Sequence, residues 1–349
     1  MSAHLRVIAP GLATSVQDTG RFGYQRFGVP TAGVLDRVAM AAANTIVGNE
    51  PDMAVLEMLY LGPTLEVAAG SVRVACVGLG AGMEVTEGQT TRQVPALESA
   101  RLGIGARLRV MVGRNAMSCV LAIEGGFALP AVMESRSTFV RAGIGGFEGR
   151  ALAAGDLLPL ALEEAEARDE VRLPDLDLAL PSRVRVVLGP QDDYFTPSAI
   201  ETFLSEPYEV TRAADRMGLR LSGTPLAHAK GYNIVSDGIA TGSIQVPGDG
   251  QPIILLADRQ TTGGYPKIAT VASADLPVLG RVGPGTKLQF EAVRIEVAED
   301  LRRAQAGIEA GWRQQLEPAN AVKGVRDASL YDANLISGVA DAWMGDQLD

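Results

Sequence analysis

The chain has 349 residues, of which 47% are apolar, and it carries a formal net charge of −10. This length corresponds to about two domains, and the apolar content excludes a disordered chain. The acidic balance argues against nucleic acids and anionic membrane surfaces as partners, because both bind basic surfaces.

Cysteine usage and targeting signals indicate where the protein works. Cys76 and Cys119 each lie in an apolar, strand-like run, and two cysteines are too few for a disulfide framework. We interpret them as buried free thiols in a reducing compartment. No basic segment followed by an apolar stretch opens the sequence, and no window has the roughly 18 consecutive apolar residues of a membrane helix. The sequence therefore predicts a cytoplasmic protein without a membrane span.

Short apolar runs separated by glycine and proline recur along the whole chain. The 40 glycines and 19 prolines divide segments that are rich in Val and Ile, which pack well on a pleated surface. This pattern predicts a mainly β protein of the barrel or sandwich type. The predicted strands lie within residues 5–10, 64–68, 71–78, 107–113, 118–126, 183–189, 243–247, 252–258 and 287–298.

Three segments predict helices, at residues 35–49, 196–205 and 298–317. The first ends near Gly48, a residue that suits a left-handed helix terminus. The second begins with Thr196 as a cap and has Pro197 in its first turn. The third is defined by an apolar stripe at helical spacing, which consists of Leu301, Ala304, Ile308, Trp312 and Leu316.

A charged, proline-containing stretch at residues 161–182 divides the chain. We predict an N-terminal β-barrel domain at 1–165, a linker at 166–182, a C-terminal β-barrel domain at 183–297 and a helical tail at 298–349. The two halves end alike, because the Gly149-Arg150 run resembles the Gly280-Arg281 run. Spaced apolar residues in 324–349 predict packing either on the chain's own domain or on a partner.

Two polar segments are candidates for binding or catalysis. Residues 11–36 combine glycines with Asp18 and Arg21, which are close enough in sequence to form either a structural ion pair or part of a site. Residues 232–277 contain a denser cluster that ends in a Gly-Gly turn, and such a turn forms either a plain hairpin or an anion-binding loop. The candidates in this cluster are Gln245, Gln251, Asp258, Thr261, Thr262, Gly263, Gly264, Tyr265 and Lys267.

Several common sites are excluded by sequence context. The glycines at 78–82 do not open a helix, and no phosphate-binding loop or nucleophile elbow is present. The two histidines, His4 and His228, are not at ligand spacing from cysteine or carboxylate, so we expect no metal site. No lysine is flanked by methionines as in a biotin carrier. We therefore expect no cofactor bound through a recognisable motif.

Two long stretches resemble one protein family. Residues 11–58, GLATSVQDTGRFGYQRFGVPTAGVLDRVAMAAANTIVGNEPDMAVLEM, are similar to the opening signature of the family known as allophanate hydrolase subunit 2, as KipA-like, or as the C subunit of 5-oxoprolinase. GPQDDYF (189–195), DRMGLRL (215–221) and SDGIATGSIQVPGDGQPIILLADRQTTGGYPKIATV (236–271) are similar to its second signature. The resemblance implies two cyclophilin-like β-barrel domains. It covers roughly residues 5–295.

The resemblance also implies partners and an activity. Members work with a KipI-like protein and a LamB/YcsF-like protein, the B and A subunits of an ATP-dependent 5-oxoprolinase, which opens 5-oxoproline to glutamate. Two alternatives are the carboxyltransferase component of a urea carboxylase, which uses biotin on another chain or domain, and a non-catalytic regulator that binds a KipI-like protein. The label allophanate hydrolase does not fit, because the amidase signature is absent. This chain stands without biotin carboxylase or carrier segments, which favours the 5-oxoprolinase.

These implied activities suggest roles for the candidate residues. We expect Lys267, with the backbone of Gly263 and Gly264, to bind an anionic group. The side chains of Gln245, Gln251 and Thr262 would orient an amide, and Asp18 or Asp258 would transfer a proton.

Overall fold

The computed structural model describes residues 3–174 and 176–319. Most of its regular structure is β-sheet, arranged in sheets of six, five and eight strands with two additional two-stranded ribbons. The predicted mainly β fold is confirmed. No helix in the described part of the chain is long and apolar enough to cross a membrane.

Eleven strands belong to the two sheets of the N-terminal half. They are β1 (His4–Ala9), β2 (Ala13–Gln17), β3 (Val55–Leu59), β4 (Thr64–Ala69), β5 (Val72–Val77), β6 (Gly82–Glu87), β7 (Thr90–Pro95), β8 (Ser99–Leu102), β9 (Arg107–Met111), β10 (Ser118–Ile123) and β11 (Leu157–Pro159). The six-stranded sheet has the order β11-β1-β4-β9-β6-β7, and the five-stranded sheet has the order β2-β3-β10-β5-β8.

These two sheets pack face to face because alternate residues of their strands are apolar and point inward. Val67 of β4 and Leu121 of β10 are buried in the shared core. Both cysteines lie in this core as free thiols, as expected from the sequence. The opposite face of the five-stranded sheet is covered by a helix, so this sheet is buried on both sides.

The C-terminal half is built on the eight-stranded sheet, which forms a nearly closed barrel. The remaining strands are β12 (Val171–Arg172), β13 (Val184–Leu188), β14 (Tyr208–Val210), β15 (Gly218–Ser222), β16 (Asp237–Gly238), β17 (Ser243–Gln245), β18 (Ile253–Leu255), β19 (Thr262–Gly263), β20 (Lys267–Val271), β21 (Lys287–Leu288), β22 (Phe290–Ala292) and β23 (Glu317–Pro318). The barrel sheet has the order β21-β14-β15-β18-β17-β20-β13-β22, while β12 pairs with β23 and β16 with β19.

The described chain has four α-helices: α1 (Arg37–Val47), α2 (Pro197–Ser205), α3 (Leu276–Leu279) and α4 (Ile295–Ala310). Gly48 ends α1 in the left-handed conformation, as predicted. The helix begins at Arg37 rather than at residue 35, because the side chain of Asp36 caps it, which was not predicted. Thr196 caps α2. The short α3 was not predicted, because its four residues give no periodicity to detect.

The third predicted helix differs from the observed one. Helix α4 begins at Ile295 rather than 298 and ends before Gly311, where the chain turns into a short 3-10 helix. The prediction that these apolar residues form one buried face of a single helix is therefore wrong. Trp312 is buried against α1, whereas Ile308 is 62% exposed. The predicted tail at 324–349 lies outside the described residues.

The charged segment predicted as a linker is bound to the N-terminal sheet by Arg73. This guanidinium is fully buried and pairs with Glu124 at 2.9 Å and with Glu170 at 3.1 Å. It also donates to the backbone oxygens of Glu166 and Arg168. A buried cation with two carboxylates and two carbonyls is fully compensated. The domain boundaries themselves stay a prediction.

We expect Arg73→Met to lower the free energy of unfolding by about 3 kcal/mol or more, because Glu170 loses its cation and Glu124 keeps only Arg168. Urea unfolding monitored by circular dichroism measures this change. The matched control is Arg101→Met, since Arg101 lies opposite Arg73 on β8 but is exposed. The control should stay within about 0.5 kcal/mol of the parent protein. Equal losses in both variants would contradict a special role for Arg73.

Candidate functional site

Asp18 directly follows β2 and holds the loop at residues 135–138. Its carboxylate accepts hydrogen bonds from the Ser135 and Ser137 hydroxyls and from the Arg136 and Gly20 backbone N–H groups. Burial alone would raise the pKa of Asp18, but these four donors together lower it below its ordinary value. A carboxylate so well satisfied is a weak proton acceptor.

Arg21 lies beside the same loop and is 1% exposed. Its Nη2 donates to the backbone oxygen of Ser137, while its Nε and Nη1 have no partner among the described residues. Gly145 has a φ of +70°, and a Cβ there would lie 2.2 Å from the Ser137 oxygen, so only glycine fits this close approach. Asp18 and Arg21 thus both contact the loop at 135–138, and the ion pair that the sequence left open as an alternative does not form between them.

Lys267 and the Gly-Gly turn form a different arrangement from the one expected. The Lys267 side chain is 2% exposed, and its Nζ pairs with Asp237 at 2.9 Å. Gly263 belongs to β19, which pairs with β16, and neither Gly263 nor Gly264 has a positive φ. Without a positive φ at either glycine, the backbone lacks the left-handed residue of an anion-binding nest. Anion binding at this turn stays a prediction, now with Asp237 as a competitor for the lysine.

A polar cleft of about 750 Å³ lies on the C-terminal barrel, and Arg141 of the N-terminal half also lines it. Three predicted substrate-binding residues, Gln245, Gln251 and Tyr265, line this cleft. Its other polar lining residues are Arg141, Thr211, Asp215, Arg220, Ser222, Asp249 and Gln260. Thr261 and Thr262 lie just past it, where the Thr261 backbone oxygen accepts from the N–H of Ile239 and Thr262 begins β19.

The polar side chains of the cleft differ in how many hydrogen bonds they already form with the rest of the protein, and in how strong these bonds are. The Gln251 amide is fully engaged, since it accepts from the N–H of Gly223 and donates to its oxygen. Asp215 accepts from two backbone N–H groups, and Asp249 accepts from one. The amide of Gln245 makes only long contacts, at 3.4 Å to the Tyr265 oxygen and 3.5 Å to Gln260. Bonds of that length are weak and easily exchanged for a ligand.

Two guanidinium groups in the cleft are free. Within residues 3–174 and 176–319, the side chains of Arg141 and Arg220 form no hydrogen bond or ion pair with another residue. Both residues are exposed. A guanidinium binds a carboxylate through two parallel hydrogen bonds, so the cleft combines donors for an anion with loosely held amides that suit a neutral amide group.

The third predicted catalytic residue, Asp258, lies between the two halves. Its carboxylate binds Arg216 through two contacts of 3.0 Å, to Nε and Nη2. Arg216 also pairs with Glu57 of β3 and donates to the Gly33 oxygen at 2.6 Å. Asp258 is therefore held in a bidentate ion pair. Proton transfer by Asp258 stays a prediction, and the geometry shows a structural use for its carboxylate.

Glu57 is one of the two carboxylates that bind Arg216, and its pKa is shifted. Complete burial raises the pKa of Glu57 to about 7, although Arg216 and the N–H of Leu35 act in the opposite direction. A second ion pair, Asp36 with Arg281 at 2.6 Å, crosses the same junction. In these two ion pairs between the halves, the carboxylate belongs to the N-terminal half and the guanidinium to the C-terminal half.

Sequence reasoning missed Arg141 as a cleft residue. It lies in a single 3-10 turn, Val140–Ala142, far in sequence from the C-terminal cluster. The following glycines at 143–146 were the available signal, because a glycine-rich turn beside an arginine can place that side chain over a neighbouring surface. Within the described residues, no group of three or more His, Cys, Asp or Glu side chains is arranged to hold a metal ion.

Known proteins resemble this chain in sequence and structure. A family model described as carboxyltransferase domain, subdomain A and B, matches residues 27–292. The C subunit of the Escherichia coli (strain K12) 5-oxoprolinase is 33% identical over 86% of this chain and 95% of its own length. The Haemophilus influenzae protein of the same name is 36% identical over 83% of this chain and 91% of its own length.

A solved structure supports the same relationship. The Kluyveromyces lactis urea carboxylase has a TM-score of 0.80 and 30% identity, over 88% of this chain and 29% of that chain. The urea amidolyase of Saccharomyces cerevisiae is 31% identical over 86% of this chain and 17% of its own length. This chain thus spans nearly all of the bacterial relatives but less than a third of the fungal ones.

We expect Arg216→Met to lower the free energy of unfolding by about 3–5 kcal/mol, because Glu57 and Asp258 lose the cation between them. Chemical denaturation at neutral pH measures the loss. Arg212→Met is the control, since Arg212 is exposed on the same loop and should change stability by less than about 0.5 kcal/mol. A loss below about 1 kcal/mol for Arg216→Met would show that the ion pairs are not needed for stability.

The raised pKa of Glu57 predicts a pH-dependent stability. The folded state holds the Glu57 proton more tightly than the unfolded state, so this contribution is complete below the ordinary pKa and is lost as pH rises toward about 7. Relative to Glu57→Gln, the parent protein should lose roughly 3 kcal/mol between about pH 4.5 and pH 7. Unfolding of both proteins across this range is the measurement, and parallel curves would contradict the assignment.

Proposed function

Because this chain belongs to the family described as carboxyltransferase domain, subdomain A and B, we propose that it is one component of an ATP-dependent 5-oxoprolinase. The complex would hydrolyse 5-oxoproline to L-glutamate together with a LamB/YcsF-like protein and a KipI-like protein. The observation that carries the proposal is the match to relatives named as the C subunit of 5-oxoprolinase, over 95% and 91% of their lengths. The resemblance seen in the sequence is thereby confirmed at the level of the family.

The cleft suits the chemistry of this substrate. 5-Oxoproline is a five-membered cyclic amide with a free carboxylate. Arg141 and Arg220 are free to bind that carboxylate, and Gln245 and Gln260 are loosely enough held to orient the ring amide. We assign substrate contact to these four residues in preference to Lys267, whose charge is paired with Asp237.

Ring opening adds water across the amide C–N bond. The hydroxyl goes to the carbonyl carbon, and the ring nitrogen leaves as an amine with the proton. In an ATP-dependent reaction the amide oxygen first accepts the terminal phosphoryl group of ATP. Water then adds to the ring carbon, the ring nitrogen leaves, and a second water hydrolyses the acyl phosphate to L-glutamate and inorganic phosphate. The phosphoryl group carries negative charge through these steps. Fixed amide and guanidinium donors stabilise such charge. The sequence of this chain has no phosphate-binding loop, and the contacts proposed for the cleft do not include ATP.

A carboxyltransferase role is the second candidate, because the fungal urea amidolyase and urea carboxylase share this domain. Biotin would be supplied by another protein, and its N-carboxyl group is an anion that the same two guanidiniums would bind. The free Arg141 and Arg220 therefore suit either reaction, and the bacterial relatives of nearly equal length favour the 5-oxoprolinase. A purely regulatory role, in which the chain only binds a KipI-like protein, predicts that cleft substitutions leave every activity of the complex unchanged.

Reconstitution of the complex tests the proposal. ATP-dependent loss of 5-oxoproline should require this chain, and Arg220→Met or Arg141→Met should raise the KM for 5-oxoproline by about 10–100-fold, the value of a charged hydrogen bond. Arg212→Met, outside the cleft, should stay within about twofold. An unchanged KM in both cleft variants would refute the assigned contacts. Full activity without this chain would refute the function, and biotin-dependent carboxylation of urea would support the alternative.

A further inference from the structure

A second cavity of about 230 Å³ lies on the other side of the segment that borders the cleft. Leu255 and Gln260 line the cleft, whereas Ala257, between them in sequence, lines this cavity. Its walls come from three places: the loop and first turn that contain Phe22 through Val38, the C-terminal barrel with α3, and helix α4. None of the residues to which we assign substrate contact lines it.

The wall formed by α4 lies outside the region that the family model matches. That match ends at residue 292, and α4 begins at Ile295. Arg302, Gln305 and Glu309 of α4 close the cavity. A site built with these side chains is therefore separate from whatever the matched domain alone provides.

Two arginines from different elements meet at this cavity. Arg37 of α1 makes one hydrogen bond to a protein group, from Nη2 to the Thr19 oxygen at 2.6 Å, and pairs with no carboxylate of the described residues. Arg302 is bound along its own helix, to Gln305 at 3.3 Å and to Glu309 at 3.1 Å. Partial burial and then the charge of Arg302 lower the pKa of Arg37, while Asp18 and Glu309 raise it.

The charges at the cavity are unevenly paired. Two guanidiniums line it with one carboxylate, Glu309, which forms an ion pair with Arg302. Among the described residues Arg37 has no ion pair: it lies over the Phe22 ring at 5.5 Å and interacts with the Asp18 carboxylate only beyond ion-pair distance. An anion between Arg37 and Arg302 would relieve the repulsion between these like charges. The remaining lining is largely apolar, with Val34, Leu35, Val38, Leu276 and Pro277 on the inner walls and Phe22 at the rim.

We propose that this cavity is a binding site for a small monocarboxylate with an apolar body, such as an aromatic or branched-chain acid. The carboxylate would lie at Arg37 and Arg302, and the hydrocarbon would replace water against the apolar walls. A dry cavity of about 150 Å³ accepts benzene, so a space of this size accommodates a ring that carries one carboxylate. The site is distinct from the cleft and does not depend on the proposed enzymatic activity.

The test uses the full chain and 4-fluorobenzoate, observed by fluorine NMR. We expect one site with an affinity of about 1 mM or tighter, which is ordinary for a ligand of this size. The uncharged 4-fluorobenzamide, of nearly the same shape, should bind at least about tenfold more weakly, because it cannot form the charged hydrogen bonds.

Variants locate the site. Arg37→Gln and Arg302→Gln should each weaken 4-fluorobenzoate binding by about tenfold or more. The matched control is Arg303→Gln on the same helix, since Arg303 is exposed and bound to Glu299 and Asp300 instead of the cavity. Circular dichroism of each variant confirms that it remains folded.

Three results would overturn the proposal: no saturable binding of 4-fluorobenzoate, equal binding of the benzamide, or the same affinity in Arg302→Gln and Arg303→Gln. Because the readout is binding to the isolated chain, failure here would leave the 5-oxoprolinase proposal unaffected. Conversely, a reconstitution assay that refutes the 5-oxoprolinase proposal would not affect the evidence for this carboxylate site.

Discussion

Arg216 lies between two carboxylates that come from opposite halves of the chain, Glu57 on β3 and Asp258 after β18. Removing three charges from water is costly, and the cost is offset only where each charge keeps its partner. The ion pair between Glu57 and Arg216 therefore fixes the distance between the N-terminal and C-terminal halves at this point. The cleft depends on that spacing, because Arg141 belongs to one half and Arg220 to the other.

Rich polar composition does not by itself mark a site in this protein. Asp18, Asp258 and Lys267 are the most conspicuous ionisable residues of the two polar segments, and each is already engaged, by four donors, by Arg216 and by Asp237 respectively. A side chain whose hydrogen bonds and charge are already satisfied within the folded chain gains little by binding a ligand. The side chains that remain free, Arg141 and Arg220, are the better candidates for contact.

The two cavities differ in how much of their lining the family model matches. Every residue that lines the cleft lies within the matched region, 27–292. Three residues that line the smaller cavity belong to α4, which follows that region. One segment, residues 255–260, borders both, and its Arg259 donates to Thr31 of the smaller cavity. Burial lowers the pKa of Arg259 to about 10.

Local chemistry in the sequence was sufficient for much of this fold. Short runs rich in Val and Ile between glycines and prolines indicated the mainly β architecture, and the Thr196 cap and the Gly48 stop lie where a helix begins and ends. These signals act between residues close in sequence, so a single chain displays them. The same signals failed at Gly311, where packing of Trp312 against α1 decided the end of α4.

The tertiary structure alone decided which polar side chains are free. The sequence showed Gln245, Gln251 and Tyr265 as candidates, and all three line the cleft. It could not show that Gln251 is bound to Gly223, that Asp258 is bound to Arg216, or that Arg141 reaches the cleft from 79 residues before Arg220. Each of these facts depends on contacts between residues distant in sequence, and no local pattern of residue types records which partner a charge will find in the folded chain.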